Sequence, residues 1–104
     1  MIKILDPHFA ERVSASFARQ NAMDLIQATL PVIEHGRTEI HLPHWAGVEQ
    51  QHGFVHGGVV GMIADSAAGY AAMTMVLATD SVLTVEYKMN LVAPADGEKL
   101  IARG

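Results

Sequence analysis

The stretch that decides the fold runs from His56 to Ala78 and reads HGGVVGMIADSAAGYAAMTMVLA. Its one acidic residue is Asp65, and it contains no lysine or arginine. Apolar residues fall on every side of a helix drawn through it, which predicts a helix from about 58 to 77 that other elements bury. The stretch is long enough to cross a bilayer, but an internal carboxylate and flanks without basic residues argue against a membrane span.

Two features of this stretch indicate chemistry. A lone carboxylate in an apolar helix costs desolvation energy, so Asp65 is a candidate general base. Gly57 and Gly58 leave backbone N–H groups approachable at a helix start, which suits a developing negative charge. A base and an oxyanion site are the two parts that acyl transfer needs. The alternatives are a structural carboxylate that caps backbone groups and glycines that only form a turn.

Composition narrows the possible classes of protein. The chain has 104 residues, enough for one domain over 1–104, and half of them are hydrophobic. With 7 Lys+Arg against 11 Asp+Glu its formal charge is −4, which argues against a nucleic-acid partner. The absence of cysteine excludes disulfides, thiolate catalysis and Cys-based zinc sites. It also fits a reducing compartment, and the short apolar patch before Asp6-Pro7 is no signal peptide, so we expect a cytoplasmic protein.

The rest of the chain predicts a helix followed by antiparallel strands. Asp6-Pro7 is typical of a helix N-terminus, and apolar residues at helical spacing continue to about Arg19. A short turn follows at 22–25. Other segments predict strands at 27–34, 37–42, 82–92 and 98–104, with a tight turn at His35-Gly36 and an irregular loop over 43–55.

These strands predict an α+β fold whose sheet is too small to cover its long helix. About four strands cannot cover a long helix that is apolar all round. We therefore expect either that the sequence lacks the last strands of the fold at its C-terminus or that an oligomeric neighbour supplies the cover.

The segment QQHGFVHGG, residues 50–58, resembles the hotdog-fold acyl-CoA thioesterases of the phenylacetate-degradation, or PaaI-like, branch. That branch has the spacing G-x-x-H-G-G-x-x-x-x-x-x-D, followed further along by a Ser or Thr. This sequence matches the spacing with Gly53, His56, Gly57, Gly58, Asp65 and Thr84. The resemblance covers nearly the whole chain and implies an antiparallel sheet wrapped around the 58–77 helix.

The resemblance also implies a role for each matching residue. Asp65 would be the base or the nucleophile, and the Gly57 N–H would hold the thioester carbonyl oxygen. His56 would orient the loop, and Thr84 would place the water or steady the carboxylate. Gln50 would position the water, with Gln51 as the competing residue.

The implied substrate is an acyl-CoA with an aromatic or medium-chain acyl group. Substrate-binding candidates are Gly58, Gln51, Gly53, Phe54, Tyr70 and Met73. Coenzyme A enters as part of the substrate, and no metal or other cofactor is implied. The chain has few cations for the CoA phosphates, namely Arg37, Lys88, Lys99 and Arg103, so we expect the nucleotide to lie mostly in solvent.

Helix geometry adds a requirement of its own. Gly57 and Asp65 are eight residues apart, which is about 12 Å along a helix. The carbon and oxygen of a thioester carbonyl are only about 1.2 Å apart, so one chain can hardly reach both from these positions. A second, antiparallel helix would bring Gly57 of one chain to the partner's Asp65, so we expect a homodimer or a dimer of dimers, that is, a homotetramer.

Other functions remain open at this stage. A hotdog hydratase or dehydratase relies on a catalytic histidine in a different pattern from H-G-G-(x)6-D. A non-catalytic acyl-CoA-binding protein would keep the pocket and lack hydrolysis. A metal site at His41, His44 and His52 is a further alternative, but these residues lack a matched carboxylate spacing, which favours solvated or core histidines.

Overall fold

A computed structural model of the chain describes residues 2–104. The helices and strands follow one another as helix α1 (Phe9–Ala18), helix α2 (Asn21–Leu25), strand β1 (Thr29–Glu34), strand β2 (Arg37–Pro43), helix α3 (Gly57–Met73) and strand β3 (Lys99–Arg103). A short 3-10 turn, Ala46–Val48, lies in the loop between β2 and α3. The strands form one antiparallel sheet in the order β1-β2-β3.

Helix α1 begins later than the Asp6-Pro7 pair predicts. His8 is the N-cap residue, and the Asp6 carboxylate accepts the His8 N–H at 2.9 Å. The same carboxylate pairs with the Arg12 guanidinium at 2.8 Å and is almost fully buried. Asp6 therefore fixes the turn before the helix instead of capping it.

The β1–β2 hairpin turns at His35-Gly36 as predicted, and Gly36 has a φ of 82°, which favours glycine. In β2 the predicted inner residues Thr38, Ile40 and Leu42 are completely buried. Glu39 departs from the predicted solvent-exposed face because it is only 7% exposed. A hydrogen bond with His41 and ion pairs with Arg103 and Arg37 hold the pKa of Glu39 below its usual range, against the opposing effect of burial.

Helix α3 packs across the inner face of this sheet, which confirms the predicted antiparallel sheet and long central helix. The Thr38 hydroxyl donates to the Ala67 carbonyl at 2.7 Å and joins β2 to the helix directly. Ile63 and Ala67 enter a core with residues of the first helices and of β2, among them Val13, Met23, Ile40 and Leu42.

Helix α3 ends at Met73, four residues earlier than the predicted end at 77. Arg12 donates to the carbonyls of Met73 at 2.8 Å and Val76 at 3.3 Å. The Thr74 hydroxyl donates to the Ala71 carbonyl and accepts the Gly36 N–H, both at 2.7 Å. Contacts with α1 and the hairpin therefore stop the helix where its own sequence would let it continue.

The predicted strand over 82–92 does not form in the described chain. These residues pair with no strand, and their alternating apolar side chains are exposed, with Leu83 at 87% and Val85 at 92%. The segment runs back along α3, since Leu91 lies beside Gly57 and Tyr87 beside Gly61. A strand needs a neighbour for its backbone groups, and none of the three strands is adjacent here.

Candidate active site

The start of α3 presents one backbone donor that the fold leaves free. His56 is the N-cap residue, and its ring Nδ1 accepts the Gly58 N–H at 2.8 Å. The His56 carbonyl accepts the N–H groups of Val59 and Val60. The Gly57 N–H has no acceptor within residues 2–104. It lies at the positive end of a 17-residue helix, so it is the amide best placed to receive an oxyanion.

A cavity of about 450 Å³ adjoins this amide, and Gln50, Phe54, Gly57, Val60 and residues 91–95 line it. A Cβ on Gly57 would lie 3.0 Å from the Leu91 Cδ1, so the glycine allows close approach. The Gln50 side-chain carbonyl accepts the N–H groups of His52 at 2.5 Å and Phe54 at 3.4 Å. Gln50 thereby shapes its own loop, and its side-chain NH₂ donates to no group in the described chain.

The other loop candidates differ in position. Gln51 and His52 are exposed. Gly53 has a φ of 84°, which is strained for any residue with a side chain. Its carbonyl meets the His44 ring at 3.0 Å. The structure thus gives Gln50, and not Gln51, a position on the cavity wall beside Gly57.

Asp65 lies two turns further along α3 and is half-buried. The Thr84 hydroxyl donates to its Oδ1 at 2.7 Å. In residues 2–104 this is the carboxylate's one hydrogen bond, and neither a backbone N–H nor a cation pairs with it. This arrangement does not match a structural carboxylate that caps backbone groups, and it leaves Oδ2 able to act on a water or a substrate.

A second cavity, of about 500 Å³, lies beside Asp65 and is also lined by Tyr70, Met73 and Thr84. Part of its wall is a hydrogen-bonded chain of side chains that the sequence patterns do not predict. The Ser66 hydroxyl donates to the side-chain Oε1 of Gln20 at 3.2 Å, and the Gln20 side-chain NH₂ donates to the Tyr70 hydroxyl at 2.9 Å. Ser16 lies 3.2 Å from the same hydroxyl. Ser16 lies in the last turn of α1 and Gln20 lies two residues past its end, and their spacing of four is the one sequence signal that they lie on the same side.

The two halves of the expected site line different cavities of one chain. Gly57, Gln50 and Phe54 surround one, while Asp65, Thr84, Tyr70 and Met73 surround the other. Their separation along α3 follows from the helical rise, about 12 Å for eight residues. A single chain therefore does not bring the Gly57 amide and the Asp65 carboxylate to one reacting carbon.

No trio of histidine and acidic side chains in residues 2–104 is arranged to hold a metal ion. His41 contacts Glu39 at 3.0 Å, and His44 contacts Glu49 at 2.9 Å. Of the four cations considered for CoA, two are already paired with Glu39, namely Arg37 and Arg103. Within residues 2–104 no helix has both the length and the hydropathy needed to cross a membrane.

The family model of the thioesterase superfamily matches residues 52–104, which contain the HGG segment, Asp65 and Thr84. A thioesterase family protein from Silicibacter pomeroyi is 42% identical, with a TM-score of 0.89 over 91% of this chain and 70% of that protein. The chain belongs to the thioesterase superfamily. No curated protein sequence matches it.

More distant structures share its fold. The Escherichia coli PaaI protein from the phenylacetic acid degradation operon superposes with a TM-score of 0.82 at 17% identity, over 95% of this chain and 70% of that one. The thioesterase HI1161 from Haemophilus influenzae gives 0.77 at 19% identity, over 85% of this chain and 62% of that one. The resemblance predicted from the H-G-G-(x)6-D spacing, to PaaI-like hotdog thioesterases, is confirmed.

Proposed function

We propose that this protein hydrolyses acyl-CoA thioesters to the free acid and CoA at sites formed between two copies of the chain. The observation that carries the proposal is the pairing of two groups on α3. One is the unused Gly57 amide at the helix start, and the other is Asp65, held by Thr84. An oxyanion donor and an oriented carboxylate are what thioester hydrolysis requires.

In this mechanism the thioester carbonyl oxygen binds the Gly57 N–H of one protomer, which polarises the carbon. Asp65 of the partner subunit removes a proton from a water, whose oxygen attacks that carbon. The tetrahedral intermediate collapses, the C–S bond breaks, and CoA leaves as a thiolate that takes up a proton. If the carboxylate attacks directly, an enzyme-bound anhydride forms and water then cleaves it. Thr84 steadies the carboxylate in both cases.

The two-chain arrangement is supported by the separate cavities. An antiparallel neighbour would place the cavity beside Gly57 of one protomer against the cavity beside Asp65 of the partner subunit. A two-fold axis then creates two equal sites, as a homodimer or as part of a dimer of dimers. Phe54 would approach the acyl group from one side, and Tyr70 and Met73 from the other.

These linings suit an aromatic or medium-chain acyl group, since aromatic rings and a flexible methionine adapt to apolar ligands. Lys88 and Lys99 lie on the exposed surface, and neither pairs with a carboxylate of residues 2–104. They are the cations left for the CoA phosphates, so the nucleotide would lie mainly in solvent. The reaction as proposed uses no metal or redox cofactor, because a thioester is already reactive towards an oriented water.

The test is release of the CoA thiol by three variants. Gly57→Pro removes the amide hydrogen at the first helical position, where proline is tolerated, whereas Gly57→Ala adds a methyl group and keeps the hydrogen. We expect Gly57→Pro to lower kcat by about 10²–10³, the cost of losing one oxyanion donor, and Gly57→Ala to lower it much less. Asp65→Asn should abolish hydrolysis and retain binding. Full thiol release by Asp65→Asn would overturn the assignment, and binding without hydrolysis by the unmodified protein would favour an acyl-CoA-binding protein.

A further inference from the structure

His44 follows β2 directly and lies behind the loop that carries Gln50. Its side chain is 13% exposed. Its backbone N–H donates to the Glu98 carbonyl at 3.0 Å, which ties this position to the residue before β3. The ring therefore has a fixed position between the loop over 49–53 and the turn over 94–97.

Among the residues that the structure describes, every polar atom that meets the ring can only accept a hydrogen bond. Nδ1 lies 3.0 Å from the Gly97 carbonyl oxygen, with the Asp96 carboxylate at 3.8 Å. Nε2 lies 2.9 Å from the Glu49 carboxylate and 3.0 Å from the Gly53 carbonyl. A neutral imidazole carries one N–H, so either tautomer would direct a lone pair at an oxygen about 3 Å away. The imidazolium, with two N–H groups, satisfies both sides.

These contacts join two walls of the cavity beside Gly57. Glu49 and Gly53 bracket Gln50, which lines that cavity, and residues 94 and 95 of the turn line it as well. The Val55 N–H donates to the Ala95 carbonyl at 3.0 Å, so the loop and the turn also meet just before α3. Loss of the His44 bridge would leave this backbone contact to hold the two walls together.

We propose that His44, as an imidazolium, is a positioning residue that clamps the Gln50 loop to the 94–97 turn, and that the clamp opens when the ring loses its proton. Its effect on catalysis rests on the proposed function, but the clamp itself does not. The charged groups facing the ring are the Glu49 and Asp96 carboxylates. Burial lowers the pKa of His44, but the Gly97 carbonyl, the Glu49 carboxylate and the Gly53 carbonyl outweigh it and raise that pKa above the ordinary value. The clamp is thus closed below the raised pKa and opens as pH rises through it.

The experiment is an NMR titration of the whole protein from about pH 5 to 9, following the histidine rings and the exchange of the Val55 and Gln50 amides. We expect His44 to titrate above an ordinary histidine, and protection of these amides, corrected for intrinsic exchange, to fall several-fold through the same midpoint. His44→Phe should lack the protection at every pH. Glu49→Gln keeps the loop's shape and should lower the midpoint. His8 is an exposed histidine at the N-cap of α1, so His8→Gln is the matched control and should change neither.

If the protection of the Val55 and Gln50 amides does not change at the pH where His44 titrates, or if His44→Phe retains this protection, the clamp is overturned. In an active enzyme, kcat/KM should decline through the same midpoint in the wild type and be low and without that transition in His44→Phe. An identical pH profile in both would refute the positioning role. A protein that hydrolyses no acyl-CoA but shows the NMR transition refutes the proposed function and supports the clamp.

Discussion

The hydrogen bond from Thr84 to Asp65 gives the sharpest single prediction. Thr84 donates to Oδ1 at 2.7 Å and lies on the exposed segment over 82–92. Thr84→Val replaces the hydroxyl with a methyl group of similar size, so the shape of the cavity is kept and the donor is lost. The carboxylate should then sample orientations that do not reach the substrate or its water.

The magnitude follows from the kind of bond. A hydrogen bond to a charged group contributes about 1.5–3 kcal/mol, and exposure to solvent places this one near the lower limit. Since about 1.4 kcal/mol corresponds to a factor of ten in rate, we expect kcat/KM to fall by about tenfold. The same bond is part of the folded state, so the free energy of unfolding should fall by no more than about 1.5 kcal/mol.

The assay is thiol release from aromatic and medium-chain acyl-CoA, with thermal unfolding measured on the same samples. Thr84→Ser is the matched control, because it keeps the hydroxyl and removes only the methyl group, so it should retain most of the activity. An unchanged kcat/KM in Thr84→Val, or an equal loss in Thr84→Ser, would refute the positioning of the carboxylate by Thr84.

Two further predictions concern stability. Thr74→Val removes the hydroxyl that accepts the Gly36 N–H and donates to the Ala71 carbonyl. It should destabilise the fold by about 1–3 kcal/mol and lower Tm by roughly 4–8 °C for each kcal/mol. Thr74→Ser keeps the hydroxyl and should lose less stability, so equal losses of the two variants in thermal melts would count against these hydrogen bonds. The hydrogen bond from Arg12 holds the pKa of Asp6 below its usual value. The pair therefore stabilises the fold at any pH above the usual pKa of an aspartate, and this contribution disappears as the pH falls through the lowered pKa. The midpoint of urea unfolding should therefore drop as the pH is lowered. If this dependence of the midpoint on pH is the same in Asp6→Asn as in the wild type, the prediction is wrong.

Local patterns predicted the elements whose neighbours are close in sequence. The alternation in 37–42 predicted β2 and its buried face, and the apolar run predicted α3 as a long buried helix. The end of α3 could not be predicted, because Arg12 and the hairpin set it through contacts from distant parts of the chain. The segment 82–92 has a strand pattern without a neighbouring strand, and alternation alone does not report whether a partner exists.

The candidate site also contains residues that the sequence could predict and residues that it could not. The H-G-G-(x)6-D spacing predicts Gly57 and Asp65 as site residues, and the structure places both on α3. The Thr84 contact followed from the family pattern. The Ser16 and Gln20 wall could not be predicted, because it depends on how α1 packs against α3. For His44 the sequence favours a solvated or core histidine, and the bridge could not be predicted because the acceptors around its ring come from two separate loops.

The most direct test of the central claim is to mix two impaired variants. Asp65→Asn keeps the Gly57 amide, and Gly57→Pro keeps the carboxylate, so each mixed dimer contains one intact site if partners share their groups. A randomised equal mixture should recover about a quarter of wild-type activity, since half of its dimers are mixed and each has one of two sites. Activity no greater than the sum of the two parents, in a sample shown to contain mixed dimers, would contradict a site built from two chains.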